Sequence, residues 1–271
     1  MRIALIIPAR LASTRFPAKP LAPITGPDGV ARPAIHYTWA AAQVAAAALP
    51  GTVDCVVATD DERIAEHCRA KGMAVVMTPE HCGNGTERCA AAMSGLTTPP
   101  DIVVNLQGDA PLTPAAMVSA VVALLAARDD LVMTTAVVPT TPSVLAHLQA
   151  DAAAGRVGGT TAVCARDGRA LYFSKSIIPH VGPGTTPVQP VLLHVGLYAY
   201  RPAALAAYVA AGPAPLELQE GLEQLRFLDA GLPVGVAQCA APAWDMIELN
   251  NPTDVPLIEA ALARRAAVEP R

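Results

Sequence analysis

Within ten residues near the start of the chain stand three cations and two hydroxyls: Arg10, Ser13, Thr14, Arg15 and Lys19. The chain has only three lysines (Lys19, Lys71 and Lys175) and is 15% charged, so a concentration of this kind is informative. The preceding run, Ile3 to Pro8, reads as a buried strand. A basic, hydroxyl-bearing loop leaving such a strand suits a polyanion. Cations neutralise phosphate charge, while hydroxyls and backbone N–H groups hold the oxygens. The alternative is a solvated basic loop, disfavoured because charge is sparse elsewhere.

Further along, Gln107-Gly108-Asp109-Ala110-Pro111 follows the apolar run Ile102 to Leu106. A carboxylate on a glycine turn at a strand end can hold Mg²⁺, which takes one or two carboxylates plus phosphate oxygens. Asp109 read alone is equally a turn-forming Asp. Cys82 to Arg88 carries Gly83 and Gly85, which let backbone approach a ligand, and a helix is expected from Thr86. The segment lacks the third glycine of the dinucleotide fingerprint, and no GxxxxGK[ST] loop occurs, which disfavours the P-loop class. His194 alternates with Gly196, Tyr198 and Tyr200 along an apolar strand, so one face of it carries polar groups. The six cysteines form no CxxC pair and read as buried free thiols rather than a zinc or redox site.

These segments resemble, in order, the motifs of the 3-deoxy-manno-octulosonate (Kdo) cytidylyltransferases. The opening PARLASTRFPAKPL matches at Pro8, Ala9, Arg10, Ser13, Thr14, Arg15, Pro17, Lys19, Pro20 and Leu21. The resemblance implies nucleotide binding by Pro8, Ala9, Arg10, Ser13, Arg15 and Lys19, with Arg10 and Lys19 assisting catalysis. Gly85, Thr86 and Arg88 resemble the SGTER motif, which helps read cytosine, with Asn84 in place of serine. LQGDAP resembles VQGDEP: Gln107 then lies near nucleotide and sugar, Asp109 is a catalytic Mg²⁺ ligand, and Ala110 replaces a glutamate. Tyr172 to Lys175 resembles YFSR, with Lys175 where an arginine helps bind the sugar acid. A lysine cannot clamp a carboxylate with a planar fork. His194 and Tyr198 match HLGIYAYR and face the acceptor, as do Glu223 and Gln224 of a PLExxExLEQLR-like helix. A GVDTPEDL-like segment closes the set. It puts Asn250 where an aspartate would share the metal, and Glu248, two residues earlier, is a possible substitute ligand.

Apolar strand runs alternate with Ala-rich helical runs through the first half: Ile3 to Pro8, Val53 to Ala58, Met73 to Met77, Ile102 to Leu106 and Leu131 to Val138. Thr59, Asp60 and Asp61 read as the cap of a helix running to Lys71, and a cap explains Asp60 fully. This alternation predicts an α/β fold, a mostly parallel (mixed) sheet sandwiched by helices. Arg166-Asp167-Gly168-Arg169 is a hairpin turn that breaks the parallel pattern. The resemblance implies a nucleotidyltransferase (Rossmann-like, GT-A-like) fold: one domain over 1–271, with 160–200 as a small antiparallel and dimerisation subdomain. Pro215 to Gly231 reads as one helix, with Glu217 and Arg226 on its solvated face. Thr140 to Gly159 reads as loop and short helix without nameable chemistry.

The chain is 52% hydrophobic, largely alanine, with net charge −4. That argues against a nucleic-acid-coating protein but not against a nucleotide. Pro114 to Ala127 is too short for a membrane span, and no signal-like leader opens the chain, so a soluble cytoplasmic protein is expected. The resemblance implies transfer of CMP from CTP to a 3-deoxy-2-ulosonic acid, Mg²⁺ as cofactor, release of pyrophosphate, and a homodimer. Alternatives are the same chemistry on another ulosonic or phosphonic acid, a nucleotide-binding protein that has lost catalysis, and a glycosyltransferase.

Overall fold

The computed structural model describes residues 1–12, 16–182 and 184–269. The chain divides into two compact units, one of residues 1–119 and 242–271, the other of residues 120–241.

In the first unit, β1 (Arg2–Ala9) pairs in parallel with both β4 (Thr52–Thr59) and β6 (Ile102–Leu106), and β5 (Val75–Met77) adds to β4. Ile3, Leu5, Ile6 and Ile7 of β1 are fully buried. A continuous apolar run of this kind marks a strand covered on both faces. Each such side chain contributes about 1.5–3 kcal/mol when withdrawn from water. The short strands β2 (Pro23–Thr25) and β3 (Ala31–Pro33) make a hairpin ahead of α1 (Ala34–Ala48). Helices α2 (Glu62–Ala70), α3 (Gly85–Ala92) and α4 (Ala115–Ala127) follow β4, β5 and β6 in turn, α4 starting in the first unit and ending in the second.

In the second unit β7 (Met133–Pro139) pairs in parallel with β11 (Val234–Gln238) and antiparallel with β10 (Leu192–Tyr200). The hairpin expected at Asp167-Gly168 is present: β8 (Thr161–Cys164) and β9 (Ala170–Ser174) pair antiparallel, and β8 also pairs with β10. Segment 140–159, read as loop and short helix, contains a twelve-residue helix, α5 (Pro142–Ala153), capped by Thr141. Tyr200, Phe227 and Tyr208 stack in the core, the last two at 4.9 Å between centroids. Helix α6 (Pro202–Ala211) carries Tyr208.

The single helix expected over Pro215 to Gly231 is two: α7 (Pro215–Glu220) and α8 (Leu225–Asp229), with Gly221 between them in the left-handed region (φ 62°). Glu217 and Arg226 are not on a solvated face. Their side chains are 9% and 2% exposed and form a forked pair, Nε to Oε2 and Nη2 to Oε1 both at 2.7 Å. Tyr208 Oη (3.2 Å) and the Ala214 N–H (3.1 Å) also donate to Glu217, and the Tyr208 ring lies 3.8 Å under the guanidinium. Burial of the α7–α8 turn forces the charges inward, where they pair. The C-terminal helix α9 (Val255–Val268) returns to the first unit, where Ile258, Ala261 and Leu262 are buried against Ile24, Leu112 and Trp244. No helix among the described residues is long and apolar enough to cross a membrane.

Candidate active site

The first cluster lies at the carboxyl ends of the parallel strands. Pro8 and Ala9 end β1 buried, and Arg10 follows exposed. Ser13, Thr14 and Arg15 lie outside the described residues. The Ala18 N–H donates to the Leu11 carbonyl at 3.1 Å. Ala18 has φ 56°, the one positive value among described non-glycine residues. A non-glycine residue held there costs about 1–3 kcal/mol and persists only where its surroundings dictate it. Lys19 begins the 3₁₀ turn immediately after it and donates a hydrogen bond to Asp109 Oδ2. The two side chains are 17% and 20% exposed, so both remain accessible to a ligand.

Asp109 sits in a turn whose backbone is pinned throughout. The Ala110 N–H donates to the Gln107 carbonyl (3.0 Å) and Thr38 Oγ1 to that of Gly108 (3.0 Å). The Leu249 N–H donates to the Asp109 carbonyl (2.8 Å). Gly108 is required by proximity: a Cβ there would stand 2.4 Å from the Pro8 carbonyl oxygen, so the turn lies directly on the end of β1. Gly85, at the start of α3, is similar, because a Cβ would come within 3.1 Å of the Gln107 amide and 3.3 Å of Asn105 Nδ2. Asn105 is fully buried, and neither atom of its amide has a hydrogen-bond partner among the described residues. The sequence reading passed over Asn105; a polar residue inside an apolar strand was the available signal.

Asn84 caps α3 by accepting from the Glu87 N–H at 2.8 Å, a duty asparagine and serine perform alike. Thr86 is buried beside it. Arg88 is also buried, 3% exposed at its side chain, and donates to Asp60 Oδ2 and Thr78 Oγ1, both at 2.7 Å. It thus joins α3 to the ends of β4 and β5. Asp60 is therefore not a helix cap. Asp61 caps α2, accepting from the Arg63 N–H at 2.9 Å, and Asp60 is left to meet Arg88.

The Leu249–Asp109 hydrogen bond brings backbone 248–250, with Glu248 and Asn250 on either side of Leu249, against the Asp109 turn. Asp254 Oδ2 accepts from the N–H groups of Asn250 (2.8 Å) and Asn251 (2.6 Å), fixing the approach. Among the described residues no three His, Cys, Asp or Glu side chains gather as a cation site. One carboxylate with an amide or a second carboxylate nearby fits a hard cation that keeps most of its shell for phosphate oxygens and water, as Mg²⁺ does.

The second cluster belongs to the other unit. His194 and Tyr198 stand on β10 with ring centroids 5.6 Å apart. Val195 pairs with Ala136 and Tyr198 with Thr135, so a bulge at Gly196 and Leu197 lies between them. The bulge adds two residues, which preserves the alternation of faces. Thr135 Oγ1 donates to the Leu197 carbonyl (2.8 Å) and bonds His194 Nε2 (2.9 Å). With its only proton committed there, the hydroxyl accepts from an Nε2–H imidazole. Desolvation pushes the His194 pKa down to about 3, so the ring is neutral at physiological pH. Tyr198 Oη donates to Gln224 Oε1 at 3.3 Å. Gln224 is 1% exposed, and its Nε2 has no partner among the described residues. Glu223 is half-buried beside it. Lys175 is exposed at the end of β9, its N–H bound to Glu220 Oε2 (3.0 Å) and its ammonium over Gly221.

Residues 4–234 match the family model described as cytidylyltransferase. The chain is 40% identical over 263 residues to the 3-deoxy-manno-octulosonate cytidylyltransferase of Maricaulis maris, covering 97% of this chain and 98% of that one. The chain belongs to the Kdo cytidylyltransferase family. The mitochondrial family member of Arabidopsis thaliana is 39% identical over 268 residues, covering 97% of this chain and 84% of its own. A solved CMP:2-keto-3-deoxy-manno-octonic acid synthetase in complex with CTP superposes with a TM-score of 0.81 at 29% identity, over 98% of this chain and 100% of that one. The architecture is accordingly the α/β nucleotidyltransferase fold of this family, a mixed sheet with helices.

Proposed function

We propose that this chain transfers CMP from CTP to the anomeric hydroxyl of Kdo or a closely similar 3-deoxy-2-ulosonic acid, releasing pyrophosphate. The observation that carries the reading is the Lys19–Asp109 pair, which joins the 3₁₀ turn at Lys19 to the turn after β6, in a chain of this family. It sets a cation and a carboxylate side by side, an arrangement suited to a metal–triphosphate, where positioning and charge neutralisation supply most of the rate.

In this reading Arg10, Arg15 and Lys19 neutralise the triphosphate, and Pro8, Ala9 and Ser13 line it with backbone and hydroxyl groups. Gly85 and Thr86 bring the start of α3 close to the nucleotide, and Gln107 borders nucleotide and sugar. Arg88 acts through Asp60 and Thr78, holding α3 in place. Asp109 would hold Mg²⁺ with Asn250 or Glu248; when bound, that ion lowers the pKa of the attacking hydroxyl and offsets charge on the α-phosphate. Neutral His194, Tyr198, Glu223, Gln224 and Lys175 receive the sugar acid, and the unsatisfied Gln224 amide is a ready donor to it. A homodimer formed through 160–200, working in the cytoplasm, completes the proposal.

Three departures from the family pattern, Ala110, Lys175 and Asn250, fall in the acceptor and metal set, while the opening motif is intact. Lys175 offers its acid a point charge rather than a fork. That favours a second reading, the same chemistry on a different acid. The test is pyrophosphate release from CTP with Mg²⁺ and Kdo, against UTP and no-acceptor controls. Release with CTP and Kdo upholds the first reading. CTP binding without release moves the assignment to another acid.

A further inference from the structure

The segment after β11 carries Trp244, whose indole Nε1–H donates to the Leu112 carbonyl at 2.9 Å across 132 positions of sequence. Five residues later the Leu249 N–H donates to the Asp109 carbonyl at 2.8 Å. The two bonds grip both ends of the tetrapeptide Asp109-Ala110-Pro111-Leu112. Trp244 is 7% exposed, Leu112 1% and Leu249 0%, so the grip is shielded from water. Arg265 of α9 lies over the indole, 5.3 Å from the ring, and holds its plane. Inside the turn, Ala110 accepts from Thr113 Oγ1 at 3.1 Å. At the outer end the Leu112 carbonyl takes its side-chain donor among the described residues from the indole.

We propose that Trp244 is a positioning residue for the Asp109 carboxylate: its N–H fixes the far end of the turn, and so the angle at which Asp109 meets a divalent cation. The inference rests on the reading of Asp109 as a metal ligand. A buried carbonyl stripped of its donor is costly, so the turn re-forms around water or another donor and rotates the peptides next to Asp109. Groups one step behind a metal ligand typically matter about 10- to 100-fold in affinity.

The test is titration of Mn²⁺ into the CTP complex, followed by the electron paramagnetic resonance of free Mn²⁺, without turnover. Trp244→Phe keeps an aromatic ring in the same core and removes the donor. Tyr37→Phe is the control: it removes a hydroxyl that donates to the Ile24 carbonyl (3.1 Å) in the same apolar cluster but does not touch the turn. Asp109→Asn checks the underlying reading. The expected result is Mn²⁺ binding weakened about tenfold by Trp244→Phe, more by Asp109→Asn and not by Tyr37→Phe. If Asp109→Asn weakens binding and Trp244→Phe does not, or if both phenylalanine variants weaken it equally, the proposal is overturned. Unchanged binding in Asp109→Asn overturns the ligand reading and this inference with it. Should Trp244→Phe fail to fold, benzothienylalanine at position 244 retains the bicyclic shape with sulfur in place of N–H, and the same outcomes apply.

Discussion

Replacing Glu217 by glutamine keeps the shape of a buried side chain and removes one charge from a pair. Arg226 stays behind, 2% exposed, with its fork facing a neutral amide. Breaking one half of a buried, hydrogen-bonded pair costs about 3–5 kcal/mol, because the remaining charge is desolvated and unpaired. The Tyr208 ring beneath the guanidinium recovers part of this, so about 3 kcal/mol is expected. At roughly 2–4 °C per kcal/mol for a chain of this size, the melting temperature falls by about 6–12 °C. Urea unfolding followed by circular dichroism measures it, with an unchanged denaturant slope as the sign that only stability moved. Acidity gives a second arm. Burial by itself would raise the Glu217 carboxyl, but Arg226 and the Ala214 N–H outweigh it and hold the group below its ordinary value. A depressed carboxylate contributes stability above its unfolded pKa, near 4, and loses it as pH falls through the folded value. The gap between wild type and Glu217→Gln should therefore be full at pH 7 and close in acid. Because α7 and α8 flank Glu223 and Gln224, KM for the acid acceptor should rise while CTP affinity holds. A loss below about 1 kcal/mol would refute the reasoning, since it would put the pair among ordinary surface ion pairs. So would a gap that widens as pH falls.

Lys19→Met should lower kcat/KM by about 10²-fold or more while leaving the melting temperature within a few degrees, because its partner is partly solvated and its proposed duty is toward phosphate. Glu248→Gln separates the two metal arrangements: an unchanged Mg²⁺ requirement assigns the second position to Asn250, and a raised one assigns it to Glu248. Gly108→Ala forces a Cβ to within 2.4 Å of the Pro8 carbonyl, so the turn must shift and pyrophosphate release should be lost even where the protein still melts cooperatively. The pKa of His194, about 3, predicts no imidazole titration in its NMR signals between pH 5 and 8. As the unfolded ring binds a proton near 6.5 and the folded one does not, stability attributable to this group rises with pH between those values.

The parallel strands of the first unit were legible because each is an apolar run with no competing period, whereas β11, the parallel partner of β7, went unread. Ile102 to Leu106 was read with its observed limits, and β1 and β4 differ from their readings by single residues at the ends. The antiparallel hairpin announced itself through Asp167-Gly168. What stayed hidden were partnerships across the sequence. Asp60 looked sufficient as a cap because the two adjacent aspartates are indistinguishable locally; only the fold puts Arg88 within reach of one of them. Glu217 and Arg226 sit nine positions apart in what reads as one helix, and nothing local says that Gly221 turns the chain and buries both. The candidate site residues were read through their motif order, whereas Trp244 belongs to no motif and emerges only when its donor is traced to Leu112.

The first unit is closed by residues 242–271, which reach it only after 122 intervening residues, 120–241, have been made. A ribosome therefore releases strands β1, β4 and β6 long before the piece that covers Ile24 and Leu112 exists. Until residues 244–249 emerge, the Asp109 turn lacks both its outer donors, and until α9 follows them the apolar cluster is incomplete. Competence thus waits on the segment that returns to the first unit, and a chain stopped short of Trp244 should carry the whole opening motif and yet be inert.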